Sequence, residues 1–217
     1  ITGDESKTSG GGVYNLSTGS FKMSDIAVIS NNKAADFGGG VCVTQGTTIT
    51  LGGAVKITGN TVGDNRVNNL YLSGETTVQT DSLTGKKTIG VTTYDTPKDD
   101  SPVTITSDAA SADCFFSDNS NYEIGTDTDG KVVLKKTATC NVIVSIPDNG
   151  SIKHIMNYGE LSQKVTKGNN IVPIVLEAGE GYYFSDADIS NLTRDGIITT
   201  KQADGSIKIE GTPNNDI

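Results

Sequence analysis

The feature that most constrains this chain is a repeat. Gly10-Gly11-Gly12-Val13-Tyr14 returns 28 residues later as Gly38-Gly39-Gly40-Val41-Cys42. At that offset Val13 falls on Val41, Phe21 on Ile49, Met23 on Leu51, Ile29 on Ile57 and Asn32 on Asn60. A looser third copy, one residue further out, sets Leu70-Tyr71-Leu72 on Val41-Cys42-Val43 and Val78 on Ile49. Self-similarity at a period of about 20–50 residues marks a solenoid, in which each unit buries its apolar face only against the next.

Within a unit the apolar residues alternate: Val41 and Val43, Ile49 and Leu51, Val55 and Ile57. A period of two places them on one face of a pleated strand, and no helical period competes. Thr, Val and Ile fill these runs, as half-buried strands favour, while Gly, Asn, Asp and Ser separate them as chain reversals require. One unit therefore reads as three short strands and three corners. Stacked about 4.8 Å apart, such units form a parallel β-helix, right-handed by the general behaviour of parallel crossovers. The triple glycine fits a tight corner; the competing reading is a flexible linker.

The spacing predicts coils over 10–37, 38–65 and 66–93, an interruption at 94–100, and a degenerate terminal coil over 101–136. A domain of about four coils thus spans 1–136. Residues 137–217 lose the rhythm and read as a small β-sandwich-like module. Its expected strands are Val142–Pro147, followed by an Asp148-Asn149-Gly150 turn, then Ile171–Leu176 and Ser206–Gly211. A short helix is expected from Ile152 to Tyr158. The chain opens inside a repeat and is expected to be a piece of something longer.

Hydrophobic residues make up 34% of the chain and charged residues 20%. That is enough for a solenoid, whose core is narrow. The net charge of −9 offers no basic groove for phosphates, so nucleic acid is not an expected partner. It equally disfavours an anionic membrane surface, and no apolar run approaches the ~20 residues needed to span a bilayer. Cys42 replaces a tyrosine of the repeat and reads as unpaired. Cys114 and Cys140 are open to two readings. They are either a disulfide closing a loop of about 25 residues, contributing about 3 kcal/mol, or two free small apolar side chains.

The quoted repeats resemble those of large secreted surface proteins of Gram-positive gut commensals. The matching stretches are Gly-Gly-Gly-Val-Tyr, Thr-Gly-Ser-Phe-Lys-Met-Ser, Asn-Asn-Leu-Tyr-Leu and Thr-Ile-Gly-Val-Thr-Thr. The C-terminal stretches Val-Leu-Glu-Ala-Gly-Glu-Gly-Tyr-Tyr-Phe and Ile-Glu-Gly-Thr-Pro are similar to a module that follows such repeats. The resemblance implies an adhesin-like, non-enzymatic binding protein, secreted or attached to the cell wall. It implies a host protein as partner, immunoglobulin foremost, or a mucosal glycan; the family's anchoring signal is absent from this stretch. A plain structural spacer is the remaining reading. The chain is expected to be a monomer.

Parallel β-helices also carry polysaccharide lyases and hydrolases, so catalytic groups need weighing. The lone histidine, His154, has no nucleophile motif around it. Asp25, Asp36, Asp64 and Asp81 fall near corners and share no face, against the paired carboxylates glycoside hydrolysis requires. Asp127-Thr128-Asp129-Gly130 resembles the start of a calcium loop but lacks its closing Glu, and reads as a turn before the strand at Val132. Asp186 and Asp188 read as a loop. No catalytic residue, metal or cofactor is therefore expected. If Val13 and Val41 point inward, their successors stack outward as a column, Tyr14–Cys42–Tyr71. The two tyrosines are then candidate contact residues for a protein partner, because Tyr is enriched at interface hot spots. The competing reading packs them against neighbouring corner residues. Tyr182-Tyr183-Phe184 is expected to be core on at least one face.

Overall fold

The computed structural model describes residues 1–145, 152–154 and 158–217, and it divides into two compact units, Ile1–Lys136 and Thr137–Ile217. Unit one is a parallel β-solenoid of about four coils. A leading β1 (Glu5–Ser6) precedes the first coil, β2 (Val13–Asn15), β3 (Ser20–Met23), β4 (Val28–Ser30) and β5 (Lys33–Ala34). The second holds β6 (Val41–Val43), β7 (Thr48–Gly53), β8 (Lys56–Thr58) and β9 (Thr61–Val62). After β10 (Arg66–Val67) come β11 (Leu70–Leu72), β12 (Val78–Leu83) and β13 (Ile89–Thr93). A last rung has β14 (Val103–Ala109) and β15 (Phe115–Ser117), and β16 (Tyr122–Thr126) with β17 (Lys131–Lys136) close the end.

The residues matched by the repeat are the ones that stack. Val13 pairs with Val41 and Val41 with Leu70; Phe21 pairs with Ile49 and Ile49 with Val78; Ile29 pairs with Ile57. Val41, Ile49, Ile57, Leu70 and Val78 are fully buried in one continuous core. Each such side chain contributes about 1.5–3 kcal/mol, but only because the adjacent coil covers it.

Each glycine of the triplet answers a separate demand. Gly38 holds φ +60°, a left-handed corner that L side chains adopt rarely. A Cβ on Gly39 would collide with the Thr61 backbone, and one on Gly40 would lie 2.7 Å from the Asn60 side-chain nitrogen. The triplet is thus a close-packed corner and not a linker.

That corner shelters a ladder of side-chain amides. Asn32 donates from its backbone N and its Nδ2 to Asn60 Oδ1, both at 3.0 Å. Asn60 donates in the same way to Asn69 Oδ1, at 2.8 and 3.1 Å. Asn69 donates to the two carboxylate oxygens of Asp118, at 2.7 and 2.6 Å. An amide both accepts and donates, so it passes the pattern on. A carboxylate only accepts, so the ladder ends at Asp118.

The structure departs from the three-strand expectation in three ways. Each of the first two coils carries a fourth short strand, and these form a separate sheet in the order β1-β5-β9-β10. The third coil closes early. Strand β13 stacks Ile89 on Ile57 and Val91 on Leu70, so it serves two faces and drops the corner between them. The terminal coil is only partly a coil. Its β14 and β15 stack in parallel on β12 and β13, but β17 pairs antiparallel with both β14 and β16. A final rung has no neighbour, and the returning hairpin supplies one: Val132 and Leu134 are buried while covering what would be an open edge.

Unit two has small antiparallel sheets. Strand β18 (Thr139–Ile143) pairs with β20 (Ser162–Thr166). Strands β19 (Ile152–His154), β21 (Ile174–Ala178), β22 (Ile197–Lys201) and β23 (Ile207–Gly211) form a second sheet in the order β19-β21-β23-β22. Val142 from the first sheet and Ile174, Leu176, Ile207 and Ile209 from the second share one core. Three expectations are corrected. Ile152–His154 is a strand, paired with β21 where Ile152 meets Ala178, and not the start of a helix. The remainder of that helix at 155–157, the strand end at Ile146 and Pro147, and the Asp148-Asn149-Gly150 turn lie outside the described residues. Among the described residues of this unit a helix forms instead at α1 (Asp186–Leu192), where a loop was expected. Strand β21 starts only at Ile174, because Pro173 lacks the N–H a strand needs. In Tyr182-Tyr183-Phe184 only the phenylalanine is buried.

Candidate functional site

The outward column runs as the alternation requires: Tyr14 on β2 stacks on Cys42 of β6, and Cys42 on Tyr71 of β11. Exposure, however, divides its members. Tyr14 is 43% exposed, whereas Cys42 is buried and Tyr71 is only 5% exposed. The expected pair of exposed tyrosines is therefore corrected for Tyr71. Its ring is covered by Phe37, with ring centroids 4.6 Å apart and planes inclined by 22°. Burial raises the Tyr71 hydroxyl above its usual range, and the nearby Cys42, Tyr94 and Asp95 add to the shift. Burial likewise pushes the Cys42 thiol up to about 11, partly offset by a hydrogen bond with Ser9.

Phe37 immediately precedes the glycine corner, and its carbonyl accepts from Gly10 N at 2.9 Å. Gly38 N, next in the chain, donates to Asn68 Oδ1 at 3.0 Å. These bonds fix the corner and hold the phenylalanine ring over Tyr71. Phe37 itself is 43% exposed, and Tyr94, which follows β13 directly, is 66% exposed. Tyr94 N donates to Leu72 O at 2.9 Å, which ties it to the strand bearing Tyr71. The result is an aromatic shelf: Tyr14, Phe37 and Tyr94 are partly exposed, and Tyr71 props the Phe37 ring from beneath. Sequence reasoning missed Phe37 and Tyr94. The available signal was a phenylalanine standing in an otherwise polar corner, just before three glycines.

The other candidates resolve into structural roles. Cys42, Cys114 and Cys140 are all free and buried, so Cys114 and Cys140 are not a disulfide. Cys114 packs in the solenoid core and Cys140 belongs to the second unit, where its thiol donates to Pro213 O at 3.4 Å. Asp127 is a turn residue: its Oδ1 accepts from Asp129 N and Lys131 N, both at 2.9 Å, closing the β16–β17 hairpin. His154 Nε2 lies 2.8 Å from the Gly159 carbonyl oxygen. Asp81 pairs with Lys22 at 2.9 Å across the sheet, and Asp25 accepts from Ser24 Oγ at 3.0 Å. Asp186 opens α1. Among the described residues no group of three or more His, Cys, Asp or Glu side chains is placed to hold a metal ion. Among the same residues no helix is long and apolar enough to cross a membrane. The chain matches no protein-family model, no curated protein and no solved structure.

Proposed function

We propose that this protein is a non-enzymatic, extracellular binding domain of a bacterial surface protein, secreted or wall-attached. In this reading it uses its solenoid as a rigid face for a host protein. The aromatic shelf carries the reading. Of three partly exposed rings, that of Phe37 is already stacked on Tyr71, so less of its side-chain entropy remains to be lost when a partner covers it. Large aromatic side chains fixed in this way are the typical anchors of protein interfaces. Host immunoglobulin is the favoured partner on the strength of the family resemblance.

The experiment is capture from intestinal secretions on the immobilised chain, followed by titration with purified immunoglobulin. Replacing Tyr14, Phe37 and Tyr94 together by serine is expected to weaken capture at least tenfold, about 1.4 kcal/mol, while leaving the β-sheet circular dichroism unchanged. Tyr71 is left intact because it is core. Unchanged capture by the triple variant refutes the shelf as the contact surface. Retention of a glycan and no protein supports the glycan-binding reading, and retention of nothing supports a spacer.

A further inference from the structure

A different part of unit one has a cleft of its own. The turn between β12 and β13, the 3-10 turn Ala112–Cys114, and the strands β15 and β16 line a cleft of about 400 Å³. That volume lies within the range of small-ligand sites, about 300–1,000 Å³. The cleft sits where the closing hairpin leaves the parallel stack, so its walls come from two different strand directions.

Its chemistry is mixed in an informative way. Lys86 and Lys87 stand at the rim, exposed, and neither makes an ion pair or a side-chain hydrogen bond. Lys87 is held there by its backbone, whose N donates to Asp113 O at 2.7 Å. It also has φ +50°, a strained conformation for a lysine, kept in a turn where glycine or asparagine would cost less. Phe116 and Tyr122 are half-buried and both line the cleft, Tyr122 packing against the solenoid core and Phe116 leaning over Gly90. Asp113 has an unpaired carboxylate, and Asn119 uses its Oδ1 on Asn121 N while its side-chain nitrogen makes no bond. Glu123, the other acid lining the cleft, is neutralised by Lys135 at 3.3 Å. Two free ammonium groups against one free carboxylate leave the cleft locally positive on a chain of net charge −9.

We infer that this cleft binds a sugar residue bearing one carboxylate, of the uronic acid type. The lysines meet the carboxylate, Asp113 and Asn119 meet hydroxyls, and Phe116 and Tyr122 take the apolar face of the ring. The strong negative charge of the rest of the chain selects against polyanions and for a single acidic residue within an otherwise neutral glycan.

The test is a titration of the full chain with methyl β-D-glucuronide, methyl β-D-glucoside and acetate, followed by amide chemical shifts. The glucuronide is expected to shift the amides of Lys87, Asp113, Phe116 and Tyr122 saturably. The glucoside and acetate should each bind at least tenfold more weakly, because each lacks one half of the contacts. The K86Q/K87Q double variant should lose about tenfold in glucuronide affinity, with shifts elsewhere unchanged; if it misfolds, K86Q alone should lose at least threefold. Acetate binding as well as the glucuronide would mean a simple anion site and overturns the proposal. So does equal binding of the glucoside, undiminished binding by the lysine variants, or the absence of a saturable shift at these amides.

Discussion

The ladder of side-chain amides makes the most demanding prediction, at Asn60. This side chain is fully buried. Its Oδ1 accepts from Asn32 N and Nδ2, and its Nδ2 donates to Ile29 O, Thr58 O and Asn69 Oδ1, all at 3.0–3.1 Å. In N60A the Asn32 backbone N–H and the Ile29 carbonyl lose these partners in the interior. At about 1–3 kcal/mol for each stranded group, the expected loss is about 4 kcal/mol, a large share of the 5–15 kcal/mol typical of a whole domain. N60D should be worse still at pH 7. It keeps the acceptor toward Asn32 but aims a second oxygen at three oxygens, and it buries a charge. That burial raises the carboxyl's pKa in the folded state, so the extra penalty is present above the raised value and fades as pH falls toward the ordinary carboxylate range. The assay is urea unfolding monitored by hydrogen exchange at Val41 and Ile57, which reports on unit one alone. A loss below about 1 kcal/mol for N60A, or an N60D protein more stable than N60A at pH 7, would refute the view that the ladder holds the corner.

Three further outcomes follow from the same corner and core. Gly40→Ala drives a Cβ to 2.7 Å from Asn60 Nδ2 and should cost more than 2 kcal/mol; Gly63→Ala, whose nearest neighbour is 3.7 Å away, should cost only about 1 kcal/mol for its φ of +51°. Equal denaturation midpoints for the two would contradict this. Asp118 has its carboxyl pushed up by burial, partly offset by its bonds from Asn69 and Thr92. Its folded pKa therefore exceeds the unfolded one, and the native protein loses stability as pH rises from about the ordinary carboxylate value through the raised one. The stability of Asp118→Asn relative to the parent should rise across that window and then level off; a flat difference from pH 3 to 8 would deny it. Finally, all three thiols are free and buried, so a thiol reagent should react slowly with the native chain at pH 8 and reach three equivalents in denaturant. A single equivalent in denaturant would mean that two of the cysteines are paired.

What the sequence makes legible here is whatever repeats. Stacking of Phe21, Ile49 and Val78 follows from the offset alone, because a coil that repeats its apolar positions must lay them over one another to bury them. The features it hides are those where the repeat breaks, and they are the ones that shape the candidate sites. Asn32 and Asn60 match by offset, but Asn69 and Asp118 complete their ladder from outside it, through the β9–β10 excursion and the last rung. Tyr71 occupies the position of Tyr14 in the pattern yet is buried, because Phe37, a corner residue that the strand alternation does not mark, lies over its ring. Equivalent positions in a solenoid share a backbone environment but not a side-chain one, since the corner above each rung is free to differ. A binding surface on this fold is therefore written in the corners, and reading it requires knowing which corner leans over which rung.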